Sequence, residues 1–138
     1  MQLSSFTDYS IRVLIYLSAL DNGELTKIVT VSEHYNISRN HLVKVVHKLG
    51  QLGYIETVQG KNGGIKLKKS PKQLNIGQII RQLEPLALLN CGTSFCHISP
   101  ACRLKNYLID AKDAFLTELE KYTIDDLIND NPKLINLL

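Results

Sequence analysis

Apolar residues recur at helical spacing from the start of the chain. Phe6, Tyr9, Val13, Tyr16, Leu17 and Leu20 form one stripe, which predicts a helix over about Phe6–Leu20. Ser5 stands three residues before Asp8, a capping-box-like pair whose acid also complements the positive end of the helix dipole. Asp21-Asn22-Gly23 ends the helix with turn chemistry. A second, weaker helix is predicted from Thr26 to Tyr35, with Ile28, Val31 and Tyr35 on one side. Asn36-Ile37-Ser38 reads as a short turn, and Ser38 as the N-cap of a third helix reaching about Leu52. In that helix Leu42, Val45, Val46, Leu49 and Leu52 line one face. Arg39, Asn40, Lys44, His47, Lys48 and Gln51 are left largely on the other, and Gly53 stops it.

The period then changes from helical to alternating. Tyr54–Val58 reads as a strand, Gly60–Gly64 as a turn that needs positive φ, and Ile65–Leu67 as the return strand. Helix, turn, helix and β-hairpin in that order predict a winged helix-turn-helix. A short helix, Ile76–Leu83, is closed by Pro85. A long one is expected from about Pro100 to Tyr122, because proline suits a first helical turn. Its seam of Leu104, Leu108, Ala111, Phe115, Leu119 and Tyr122 is long enough to cover a neighbour. Thr123 is expected to cap a final short helix through Asp130. The fold class is therefore mainly α with a small β-wing, ending in a long C-terminal helix suited to dimerisation. All 138 residues form one domain: a winged helix over about 1–75, its helix-turn-helix over about 28–51, and a loop with the long helix over about 76–130.

Charge sharpens this picture. The formal net charge is only +3, but Asn36–Gln73 carries eight Lys/Arg against one acid, and the chain from Asp110 onward carries seven acids against three bases. A basic first half and an acidic end point to a nucleic-acid face and a separate partner-facing region. In a helix-turn-helix the second helix enters the major groove, its first residues reaching base edges. Here these are Ser38, Arg39, Asn40, His41 and Lys44. Arg suits guanine and Asn suits adenine through paired hydrogen bonds, while Lys48 and Lys61 read as phosphate contacts. In the Gly60–Gly64 turn, Asn62, Gly63 and Gly64 join Lys61 as candidate contacts, since glycines let a hairpin tip approach a backbone or minor groove closely. No apolar run approaches a membrane span, and the chain opens on a polar helix start, so a cytoplasmic protein is expected.

The remaining chemistry is concentrated. The chain has three cysteines, Cys91, Cys96 and Cys102, all within twelve residues and separated by four and five. Gly92 and Pro100 mark the segment as a loop. An odd number leaves a thiol over after any disulfide. Structural zinc favours closer pairs, so these spacings suit an iron–sulfur cluster better. A structural zinc site and a reactive thiol switch are the competing readings. His97, between the second and third cysteines, could ligate, although a lone loop histidine is more often a surface residue. Such a cluster normally takes four protein ligands, so a carboxylate or imidazole must join the three sulfurs. Nothing resembling a substrate pocket or acid–base pair accompanies them, and no enzymatic activity is expected.

Four segments together resemble a known family: MQLSSFTDYSIRVLIYL, SRNHLVKVVHKLG, GKNGG and LEPLALLNCGTSFCHISPACRLK. They are similar to the nitric-oxide-sensitive NsrR repressors, bacterial winged-helix iron–sulfur regulators related to IscR. The resemblance covers nearly the whole chain. It implies a homodimer on a palindromic, AT-rich operator in double-stranded DNA, repressing genes that detoxify nitric oxide or repair its damage. It also implies a [4Fe-4S] or [2Fe-2S] cluster held by Cys91, Cys96 and Cys102, with Asp8 contributed by the opposite subunit. Nitric oxide would act on cluster iron and lower DNA affinity. Relatives that sense cluster supply or thiol oxidation on the same fold are the alternative, and an iron–sulfur redox protein without a DNA role is a further one.

Overall fold

In the computed structural model, which describes residues 1–91, 94 and 96–138, the first helix, α1, spans Ser5–Ser18. Its N-cap is Ser4, whose Oγ accepts a hydrogen bond from the Thr7 N–H at 3.3 Å. This corrects the expected Ser5–Asp8 capping box. Ser5 is already helical, and Asp8 reaches forward one turn to Arg12, Oδ2 to Nε 3.0 Å. Val13, Leu14 and Leu17 are buried, so the apolar arc is wider than the predicted stripe, which lacked Leu14.

Helix α2, Ile28–Tyr35, begins two residues later than expected. Thr26 is drawn away into an antiparallel bridge with Ile65, its N–H donating at 3.1 Å and its carbonyl accepting at 2.8 Å. Asn36 ends α2 in the left-handed region at φ +52°. The Ser32 hydroxyl donates to the Ile37 carbonyl at 2.6 Å and pins the turn. Helix α3, Arg39–Gln51, follows, with the Ser38 Oγ accepting from the His41 N–H at 3.4 Å. Its apolar face is the predicted one: Leu42, Val45, Val46 and Leu49 are buried and Leu52 is half-buried.

Strands β1, Ile55–Val58, and β2, Gly64–Leu67, pair antiparallel with Ile55 opposite Leu67 and Val58 opposite Gly64. Positive φ is needed at Gly60 alone in this turn, at +101°. Gly63 and Gly64 are required for a different reason. A Cβ on Gly63 would stand 1.9 Å from the Val58 carbonyl oxygen, and one on Gly64 would stand 2.4 Å from that of Thr26. Leu14, Val31, Leu42, Leu49, Ile55 and Ile65 fill one core beneath the wing, joined by Leu74, Ile79 and Ile124.

A 3-10 turn, Pro71–Gln73, leads to α4, Ile76–Leu83, as predicted. Helix α5 spans Leu104–Leu119 and starts later than the proline suggested. The Ser99 and Ala101 N–H groups bond back to the Cys96 and Ile98 carbonyls at 3.1 and 3.0 Å, so Pro100 lies in turns instead of a helical first turn. The C-terminal half of α5 packs on α4 through the buried Leu116, which the predicted seam omitted. Gly77 permits this approach, since a Cβ there would meet the Glu120 nitrogen at 2.6 Å and the Leu116 oxygen at 2.7 Å. Arg81 joins the same junction through Glu120 at 3.1 Å and Asp113 at 3.7 Å. The seam itself turns outward: Leu104, Ala111, Phe115 and Tyr122 are exposed, as are Tyr107 and Ile109. Thr123 closes a capping box with Asp126 on α6, Ile124–Ile128, and α7, Pro132–Ile135, ends the chain. Among the described residues no helix is long and apolar enough to cross a membrane.

Candidate functional site

Two surfaces carry the chemistry. The first is the outer face of α3. Burying Leu42, Val45, Val46 and Leu49 leaves Ser38, Arg39, Asn40, His41 and Lys44 exposed, with Lys48 half-buried behind them. The His41 ring lies 6.1 Å from that of Tyr9, so α1 supports the first turn of α3. At the wing, Lys61 and Asn62 are exposed, whereas Gly63 is buried and Gly64 half-buried. These two glycines shape the tip through contacts with the protein's own backbone. The Lys27 Nζ donates to the Lys61 carbonyl at 3.1 Å, tying the tip to the start of α2. Lys66 pairs loosely with Glu56 at 3.9 Å, the one ion pair among the described bases from Asn36 to Gln73. The remaining bases keep their positive charge available to an anion.

The second surface is the loop between α4 and α5. Cys91, Cys96 and Cys102 are all free thiols and all half-exposed. Cys91 borders a cleft shared with Leu86, Leu89, Lys105 and Leu108. The Ser99 hydroxyl donates to the Cys91 carbonyl at 2.6 Å. His97 is exposed, and Gly92, the predicted turn residue, lies outside the described residues. Three unpaired thiols are a donor set that fits a soft metal centre. Among the described residues, however, no three His, Cys, Asp or Glu side chains stand together as a metal-holding group. The three thiols are chemically suited to such a centre, but they are not gathered into one among the described residues.

Asp8 sits on α1, away from the loop in sequence, with its carboxylate on Arg12. The Arg12 guanidinium carbon lies 5.9 Å from the Tyr35 ring centre, and the Tyr35 hydroxyl donates to the Arg12 carbonyl at 3.1 Å. Burial pushes the Tyr35 pKa up to about 12, with Arg12 opposing, so the hydroxyl keeps its proton and remains a donor. Asp8, Arg12 and Tyr35 thereby connect α1 to the last turn of α2.

Sequence reasoning missed Glu84, which ties the root of the cysteine loop to the N-terminus of α1. It follows α4 and precedes Pro85 at the root of the cysteine loop. Its carboxylate accepts from the Ser4 N–H at 3.1 and 3.0 Å and from the Ser4 hydroxyl at 2.9 Å. Burial acts to raise its pKa, but hydrogen bonds from Thr7 and Ser4 prevail and hold it below the ordinary carboxylate range. The loop root therefore grips the N-terminus of α1, whose dipole favours an anion there. A contact across 80 residues leaves no periodic signal in a sequence.

The model of the Rrf2 family, described as an iron-dependent transcriptional regulator, matches residues 3–130. Among solved structures the chain is similar to CymR (YrzC), the global cysteine regulator of B. subtilis. The identity is 25%, 92% of this chain and 95% of that one are covered, and the TM-score is 0.73. The oxidised form of Staphylococcus aureus CymR is also 25% identical over 94% and 97% of the two chains, with a TM-score of 0.75. T. potens IscR shares the fold at 20% identity, covering 94% and 88%, with a TM-score of 0.73.

Proposed function

The chain belongs to the Rrf2 family of DNA-binding transcriptional regulators, and from that premise we propose that it is a nitric-oxide-responsive repressor controlled by an iron–sulfur cluster. The observation that carries this reading is the placement of all three cysteines, unpaired, in one loop whose root holds the helix beneath α3. Cys91, Cys96 and Cys102 would supply three thiolates to a [4Fe-4S] or [2Fe-2S] cluster. Asp8 of the partner subunit would supply a carboxylate as the fourth ligand. When bound, such a cluster offers iron that reacts with nitric oxide.

The chain's own residues then link the loop to DNA. Two copies joined along the exposed face of α5 present two α3 helices to the half-sites of a palindromic, AT-rich operator about one DNA turn apart. Arg39 and Asn40 read bases, with Ser38, His41 and Lys44 beside them, and Lys48, Lys61 and Asn62 hold phosphates. A change in the loop would reach α1 through the Glu84–Ser4 bonds, and α1 packs directly against α3. A coupling of about 1–3 kcal/mol between cluster state and operator binding is the ordinary scale for such linkage. A DNA-binding regulator with three free cysteines fits a cytoplasmic protein.

Anaerobic purification tests this directly, with a visible spectrum, iron and sulfide analysis, and operator binding before and after nitric oxide. A cluster-bearing protein that binds the operator and releases it on nitric oxide supports the reading. Replacing any one of the three cysteines by Ala should abolish both spectrum and response while leaving the winged helix folded. The half-exposed free thiols and the likeness to a cysteine regulator favour a second reading, control by thiol oxidation. Release of the operator by a disulfide oxidant, from protein containing no iron, would select it.

A further inference from the structure

We infer that Ser99 is a positioning residue of the cysteine site, holding the backbones of Cys91 and Cys96 together. The inference rests on the thiol site proposed above. One residue closes the loop from both sides. Its hydroxyl donates to the carbonyl of Cys91 at 2.6 Å, and its N–H donates to the carbonyl of Cys96 at 3.1 Å. The next turn is closed in the same way, by the Ala101 N–H on the Ile98 carbonyl at 3.0 Å.

The residue type matters. Serine carries a donor one carbon from its backbone, short enough to reach a carbonyl while its own N–H is engaged elsewhere. Alanine would keep the bond to Cys96 and lose the one to Cys91. Threonine would keep both. Ser99 and Cys91 are both half-buried, so solvent competes only in part for the hydroxyl. A soft metal centre binds more firmly when its ligands are held before it arrives, and such groups behind the ligands are part of the site. Ser99 supplies this restraint on two of the three thiol-bearing residues.

The experiment uses full-length Ser99→Ala and Ser99→Thr. In cluster-free protein also carrying Cys102→Ala, Cys91 and Cys96 are equilibrated with a glutathione redox buffer. Glutathione disulfide takes the electron pair as the protein disulfide forms, and mass spectrometry gives the effective concentration of one thiol at the other. Ser99→Ala should lower that concentration about threefold to tenfold, the scale of one hydrogen bond, and Ser99→Thr should restore it. In anaerobically reconstituted protein, Ser99→Ala should speed iron release to a chelator by a similar factor. An unchanged thiol equilibrium in Ser99→Ala overturns the inference, even if the melting temperature falls. If the parent chain takes up no iron and sulfide, the cluster reading fails. A lowered thiol equilibrium in Ser99→Ala would still uphold the positioning role.

Discussion

An exposed guanidinium in the first turn of α3 and an exposed ammonium at the wing tip would meet DNA in different ways. Arg39 can form paired hydrogen bonds with a base edge, so Arg39→Ala should cost about 1–3 kcal/mol and relax preference at one operator position. Lys61 is a point charge, so Lys61→Ala should weaken all sequences alike and flatten the salt dependence by about one counterion. Binding titrations at several salt concentrations on matched and mismatched operators separate the two effects. Unchanged affinity in both variants would remove these residues from the interface. Asp8 poses a sharper question. Its pair with Arg12 leaves both side chains nearly half exposed and contributes at most about 1 kcal/mol, so exchanging it for a metal is not costly. Asp8→Asn should therefore leave the fold nearly unchanged while making the cluster labile. A mixed dimer settles the subunit: Asp8→Ala on one chain with the three cysteines removed from the other should retain one complete site. Retention of none would return Asp8 to its own chain.

At the scale of the element, the wing is held by its backbone more than by side chains. Gly64 lies where β2 meets Thr26, and any side chain there would displace the Thr26–Ile65 bridge. Gly64→Ala should therefore destabilise the protein by about 1–3 kcal/mol, the range for overpacking, measured by denaturant unfolding. It should also weaken operator binding, because the wing tip would lose its fixed position relative to α3. A Gly64→Ala protein as stable as the parent would show that the bridge does not restrain the wing.

Across the whole molecule, the acidic helical end and the basic winged helix serve different partners. Helix α5 is anchored by Leu116 and the Arg81 junction, while Ile109, Tyr107 and Phe115 remain exposed. An exposed apolar row of this kind marks an interface, and a second copy of the chain is the expected partner. Ile109→Glu should give a monomer in analytical ultracentrifugation and weaken operator binding far more than a local contact could, since two half-sites must be held at once. The monomer should still unfold cooperatively, because Ile109 lies outside the core.

Much of the fold was legible in the chain because it is written locally. The stripe of α3, Ser38 as its cap and the alternation of the hairpin each depend on neighbours a few residues apart. The three cysteines were visible for the same reason, within one short segment, but among the described residues no three metal-holding side chains stand together. What failed was decided partly by distant partners and partly by competing short-range turns and caps. Thr26 left α2 because Ile65 offered a strand edge, and Pro100 stayed out of α5 because Ser99 and Ala101 turned the chain first. Ser4 capped α1 in place of the Ser5–Asp8 pair. Glu84 reached Ser4 from 80 residues away, which no spacing rule can see. Local hydrogen bonds and apolar periods are properties of the sequence; the joining of the loop root to α1 exists only once the chain has folded.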